Sequence, residues 1–179
     1  MRDALVVIDV ITQFDHPGGE ALLASFRDHH RALVAALGAA RAERVPVIYV
    51  NDNHGTWGWD IAAEIRRASD WGEGGELVAK VAPQVGDRFL RKPRYSAFDH
   101  TALDLLLGEL EIERLLLAGA ATEMCIVQTA IDAKELGLKV TILADACASV
   151  DRGDAELALA YAERVVGAYV ERGRATVRV

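Results

Sequence analysis

Cysteine is scarce, with two residues in a chain of 179. Two cysteines cannot build a disulfide framework, and no CxxC pair points to zinc or to thioredoxin-like redox chemistry. No apolar run is long enough to cross a bilayer. Positive charge is also in deficit: 20 Lys and Arg stand against 27 Asp and Glu, a formal net charge of −7. With no cluster of Lys and Arg to offset it, that balance argues against a nucleic-acid footprint. The first strand-like run leads into ITQFDHPGG and lacks a GxGxxG turn, which removes the dinucleotide-binding fingerprint. That run begins almost at once and leaves no room for a signal peptide ahead of it. What is present is a hydrophobic fraction of 51%, rich in Ala, Leu and Val, over about the length of one ordinary domain. The expectation is a soluble, cytoplasmic, single-domain protein spanning residues 1–179, with no nucleic-acid or membrane partner.

Taken in order, Ala4–Val10 is a short apolar run that reads as a buried strand with Asp9 at its carboxyl end. Residues 20–44 carry apolar side chains at helical spacing, and Val45–Val50 is a second strand with Pro46 near its start. The stretch 51–80 is irregular, with a short helix at 61–68. A third strand at 87–91, the loop KPRYSAF, a helix at 101–110 and a fourth strand at 114–118 follow. The rest reads as a helix from 123 to 136, a strand at 139–143, a helix at 154–172 and a last strand at 175–179. Apolar strands alternating with amphipathic helices make an α/β protein. The expected form is doubly wound, with a mainly parallel six-stranded sheet in the order 3-2-1-4-5-6 and helices on both faces. Ligands in such folds sit beyond the carboxyl ends of the strands where the order reverses. Here that point lies between the strand ending at Asp9 and the strand leading to Cys125.

Cys125 falls in the first turn of the predicted helix, after the small residues Gly119, Ala120 and Ala121, with Thr122 as the expected N-cap. A helix N-terminus favours the thiolate, the nucleophilic form. A lone cysteine is more often a small hydrophobe of the core, so other residues must decide. Asp9, at the tip of a buried strand, needs either a partner or a task; capping a neighbouring loop is the ordinary alternative. Lys92, taken alone, reads more readily as a surface charge. Together Asp9, Lys92 and Cys125 would supply a base, a cation and a nucleophile.

The stretches VVIDVITQF, VIYVNDNHG, KPRYSAF, GAATEMCIVQTAIDA and LADACAS stand in an order that resembles the isochorismatase-like cysteine hydrolases. These include nicotinamidases, isochorismatases, and the carbamoylsarcosine and ureidoacrylate amidohydrolases. The resemblance covers nearly the whole chain and implies the doubly wound fold. It also implies a catalytic triad of Asp9, Lys92 and Cys125, an oxyanion hole from the backbone N–H groups of Ala121 and Cys125, and a cis peptide at Ala120–Ala121. The implied activity is hydrolysis of a small amide, carbamoyl or ureido C–N bond through an acyl-enzyme on Cys125. A homodimer or higher homo-oligomer is implied as well, for which Trp71 offers a contact.

Two features depart from the family pattern. Ile11 occupies a position where many members carry Gln. Asp52 and His54 reproduce the start of the nicotinamidase metal site, but no histidine follows in the next loop. Two ligands do not close a metal site, so Asp52 and His54 are weak candidates and no metal or other cofactor is expected. Phe14, Trp57, Trp59, Tyr95 and Phe98 are the expected pocket walls, although each could equally pack its own loop. His16, His29, His30 and His100 read as loop or helix-surface residues, and Cys147 as inert packing. The alternatives are isochorismatase-type vinyl-ether hydrolysis, which does not need the thiol, and a redox or binding protein that uses Cys125 reversibly.

Overall fold

The computed structural model describes residues 1–56 and 60–173. Six parallel strands form one sheet in the order β3-β2-β1-β4-β5-β6, as the sequence predicts. β1 (Asp3–Ile8) lies at the centre. Its residues pair on one side with β2 (Val47–Asp52) and on the other with β4 (Arg114–Gly119). Every residue of β1 is buried, because helices cover both faces of the sheet and both sets of alternating side chains meet a core. Leu5 and Val7 face the layer that includes Phe26, Leu33 and Leu37 of α1 (Gly19–Ala42). Ala4, Val6 and Ile8 face the opposite layer, with Leu103 of α4 (Leu103–Glu109) and Ala130 of α5 (Val127–Glu135).

After β2 the chain forms α2 (Ile61–Ser69), capped by the Asp60 carboxylate at 2.8 Å from the Ala63 N–H. The following segment also becomes a helix, α3 (Gly72–Lys80), although its glycines had read as irregular. Packing overrides propensity there. A Cβ on Gly74 would come within 2.8 Å of the Phe14 ring, and one on Gly75 within 2.1 Å of the Ser69 carbonyl oxygen. The glycines let α3 approach its neighbours where any side chain would intrude. β3 (Arg88–Lys92) then forms the sheet edge beside β2.

The carboxyl-terminal part differs from the sequence expectation. β5 (Lys139–Cys147) runs four residues past Leu143. The helix expected to reach Arg172 ends much earlier: α6 spans Arg152–Tyr161 and passes into a π-helical turn, Ala162–Val166. Gly167, at φ 75°, stops it in the left-handed conformation, as glycine commonly does one residue past a helix. The chain then enters β6 (Tyr169–Glu171), which pairs with β5 through Thr141–Leu143. The predicted strand at 175–179 lies outside the described residues. His30 also departs from its reading. It is buried on α1, its Nε2 lies 2.9 Å from the Leu77 carbonyl oxygen, and its ring meets the edge of Phe26.

Candidate active site

β1, β3 and β4 each deliver one chemically important side chain to the same end of the sheet. Asp9 follows β1 directly, in a left-handed conformation at φ 52°. Its N–H donates to the Val50 carbonyl at 3.2 Å, and its Oδ1 accepts the Asp52 N–H at 2.7 Å. Lys92 is the last residue of β3 and is fully buried. It crosses the end of β2 so that Nζ reaches 2.7 Å from Asp9 Oδ2 and 3.5 Å from Cys125 Sγ. Nζ also donates to the Arg94 carbonyl at 3.1 Å and lies 3.9 Å from Asp52 Oδ2. The Asp9 carboxyl group and the Cys125 thiol influence each other electrostatically. Three residues distant in sequence therefore form one contiguous cluster. Lys92 is not a surface charge.

The turn that carries Cys125 is not the α-helical start expected. Thr122–Ile126 is a single π-helical turn, α5 begins at Val127, and the N-cap position is Ala121. Thr122 makes no side-chain cap; its hydroxyl donates instead to the Ala148 carbonyl at 2.9 Å. Gly119, at φ 120°, presses so closely on β1 that a Cβ would fall 2.1 Å from the Ile8 carbonyl oxygen. The Ala120–Ala121 peptide is cis. The Ala121 carbonyl accepts the N–H groups of Met124 and Ile126 at 3.1 and 3.2 Å.

The electrostatics reverse one sequence expectation. Burial, followed by the neighbouring Asp9 charge, pushes the Cys125 thiol up to about 12, and Lys92 offsets only part of that rise. Burial outweighs the helix end, so the resting cysteine is a thiol at neutral pH. Burial also raises the Asp9 carboxyl, with Lys92 opposing. For Lys92 itself burial acts downward, but the neighbouring Asp9 carboxylate, bonded to it, more than compensates and holds the ammonium protonated, with Asp52 adding to it.

Asp52 and His54 stand together, with His54 Nδ1 3.8 Å from Asp52 Oδ1. The same Oδ1 accepts the His54 N–H at 2.6 Å, while Oδ2 faces the Lys92 ammonium. A divalent ion there would have two side-chain ligands and a cation as neighbour. Among the described residues no group of three or more His, Cys, Asp or Glu could hold a metal. The donor set does not fit a metal.

Two cavities flank the cluster. One, of about 520 Å³, is lined by Ile11, Gln13, His54 and Thr56 with Glu64 and Arg67 of α2. The other, of about 470 Å³, is lined by Asp52, Tyr95, Ser96, Gln128 and Asp132. Tyr95 is exposed at the rim, whereas Phe98 packs against the core beneath the KPRYSAF loop. Phe14 is drawn into the core, its ring centroid 5.5 Å from that of Phe26. Trp57 and Trp59 lie outside the described residues. Trp71, the proposed contact residue, is half exposed beside α3. Cys147 is buried and hydrogen-bonds the Leu117 carbonyl.

Sequence reading missed two supports. Asn51 clamps the segment after Asp9, with Oδ1 accepting the Ile11 N–H at 3.0 Å and Nδ2 donating to the Ile11 carbonyl at 2.9 Å. Ile11 itself is buried. Thr129 accepts the Ala97 N–H at 2.9 Å and ties the loop after Lys92 to α5. The available signal was a polar Asn at the end of an apolar strand, where an amide without a partner would be costly.

Comparison with known proteins supplies the family. The model of the isochorismatase domain matches residues 3–172. The chain belongs to the isochorismatase family. An isochorismatase family protein of Bacillus subtilis, YaaI, is 34% identical over 167 residues, covering 93% of this chain and 92% of that one. Ureidoacrylate amidohydrolase RutB of Serratia proteamaculans is 32% identical over 80% of this chain and 68% of its own length. Among solved structures, nicotinamidase/pyrazinamidase PncA from Bacillus subtilis is 28% identical, with a TM-score of 0.75 over 96% of this chain and 100% of that one. N-carbamoylsarcosine amidase from Thermoplasma acidophilum is also 28% identical, with a TM-score of 0.72 over 100% and 99% of the two chains. This isochorismatase-family hydrolase thus has amidases among its relatives. No helix among its described residues is long and apolar enough to cross a membrane.

Proposed function

We propose that this isochorismatase-family protein hydrolyses the C–N bond of a small amide, carbamoyl or ureido compound through an acyl-enzyme on Cys125. The observation that carries the reading is the placement of Lys92 Nζ, 2.7 Å from Asp9 and 3.5 Å from Cys125 Sγ. A thiol held up to about 12 does not wait as a thiolate; it needs a base in the attacking step. Asp9 takes the thiol proton as Sγ bonds to the carbonyl carbon. Its raised carboxyl makes it a better base than an ordinary carboxylate.

The oxyanion that forms is held by the backbone N–H groups of Ala121 and Cys125. As it collapses, Asp9 returns the proton to the departing nitrogen, the C–N bond breaks, and ammonia or an amine leaves. Asp9 then accepts a proton from water attacking the thioester carbonyl, and Cys125 recovers the proton as the acid departs. Lys92 remains a cation throughout and keeps Asp9 ionised and aimed. The flanking cavities, of about 470 and 520 Å³, suit a small molecule. The protein works as a homo-oligomer in the cytoplasm, where its two unpaired cysteines stay reduced.

Ammonia release from a mixed panel of small amides, carbamoyl and ureido compounds tests the assignment, with Cys125→Ala measured beside the wild type. Release from at least one compound that disappears in the variant is expected. Turnover unchanged by the substitution would overturn the covalent reading and favour chemistry that does not need the thiol.

A further inference from the structure

The loop joining β5 to α6 has no part in the chemistry above, yet it is bonded to the nucleophile turn through Ala148, Val150 and Asp151. The Ala148 N–H donates to the Gly119 carbonyl at 2.8 Å. The Ala148 carbonyl accepts the Thr122 N–H at 2.8 Å and the Thr122 hydroxyl at 2.9 Å. One residue of this loop therefore brackets Gly119–Thr122 from both ends. Glu123, the next residue of the turn, reaches back to the loop: its Oε1 accepts the Val150 N–H at 2.7 Å and the Asp151 N–H at 3.1 Å. Asp151 in turn caps α6 through the Asp154 N–H at 2.9 Å. Ser149 anchors the loop to α1, its N–H donating to Ser25 Oγ at 3.0 Å.

We propose that Glu123 is a positioning residue for the oxyanion hole, acting through the 148–151 loop. The inference rests on the amidase reading, which assigns the Ala121 and Cys125 N–H groups as donors. A carboxylate accepting two backbone N–H groups forms strong, charge-assisted bonds. It fixes the loop that holds both ends of the segment containing Ala121. Without Glu123 the three Ala148 bonds remain, but the loop loses its tie to the turn two residues before Cys125. The donors then lose their aim, while Asp9 and Lys92, held from β1 and β3, keep their places beside the thiol.

Two reactions at Cys125 separate these effects. Acylation by p-nitrophenyl acetate passes through an oxyanion; alkylation by iodoacetamide does not. Both are followed by intact-mass spectrometry on wild type, Glu123→Ala and Glu123→Gln, with Tm measured for each. In Glu123→Ala we expect acylation to slow about 10- to 100-fold, less than the loss from deleting one oxyanion donor. Alkylation should stay within about twofold, because no oxyanion donor enters that step. Glu123→Gln keeps an acceptor oxygen in the same place and should restore acylation to within about threefold of wild type. Both rates falling together, or neither falling, would overturn the proposal. A wild type that is acylated on Cys125 with this pattern but releases no ammonia from any panel compound would overturn the amidase reading and leave the role of Glu123 standing.

Discussion

Replacing Lys92 by Met keeps most of the side chain's length and removes its charge. The ammonium is fully buried, 2.7 Å from Asp9 Oδ2 and 3.9 Å from Asp52 Oδ2. Removing one partner of such a pair leaves an uncompensated buried carboxylate, at a cost of about 3–5 kcal/mol. Burial already raises the Asp9 carboxyl, and losing the Lys92 charge that opposes burial raises it further. Asp9 would then hold its proton more tightly and serve poorly as a base, so kcat/KM should fall about 10²- to 10⁴-fold.

The stability cost must follow pH in one direction. A carboxyl raised above its unfolded value contributes stability that is fully present below about pH 4 and is lost as pH rises through the folded value. Urea unfolding should therefore find Lys92→Met nearly as stable as wild type near pH 4 and about 3 kcal/mol weaker at pH 8. Adding Asp9→Asn should recover about 2–3 kcal/mol at pH 8, since the amide has no charge to strand. Costs that simply add in the double variant, or a deficit that shrinks as pH rises, would refute the assignment of Lys92 as the counter-ion of Asp9.

Other perturbations read separate parts of the structure. Alkylation of Cys125 by iodoacetamide should keep accelerating through pH 10, because the thiol is pushed up to about 12; a plateau by pH 8 would mean a preformed thiolate. Gly119→Ala should cost more than about 3 kcal/mol in urea unfolding, since it places a methyl group against backbone at a left-handed position. Gly38→Ala, in α1 with open space around it, should instead stabilise by about 0.5–1 kcal/mol. Arg114→Met removes the guanidinium that makes two hydrogen bonds to the buried Asp3 carboxylate and ties the start of β4 to β1. A loss of about 3 kcal/mol is expected by the same assay.

The sheet was legible because its strands are short apolar runs, and the strand order follows from parallel pairing with right-handed crossovers. Asp9, Lys92 and Cys125 were legible as residues at strand ends, and their meeting is a consequence of that order. The state of the cysteine was not legible. The helix-end argument concerns one turn, whereas the thiol's proton is governed by burial and by Asp9, both of which depend on tertiary packing. Phe14 and His30 were misread for a related reason: an isolated ring in a loop pattern, or a polar residue on a helix, does not reveal which face the fold will cover. α3 was hidden behind its glycines, which read as loop until the close approach to Phe14 and Ser69 is known. The overlong final helix shows how a single glycine, Gly167, ends an element that apolar periodicity alone would extend.

The most direct test of the central claim is rapid-quench intact-mass spectrometry on the wild type during turnover of whichever panel compound releases ammonia, with peptide mapping of any adduct. A covalent amidase predicts a transient mass increase equal to the acyl portion of the substrate, located on Cys125 and forming no more slowly than ammonia appears. Ammonia appearing at full rate with Cys125 unmodified throughout, in a protein whose Cys125→Ala variant is equally active, would contradict it.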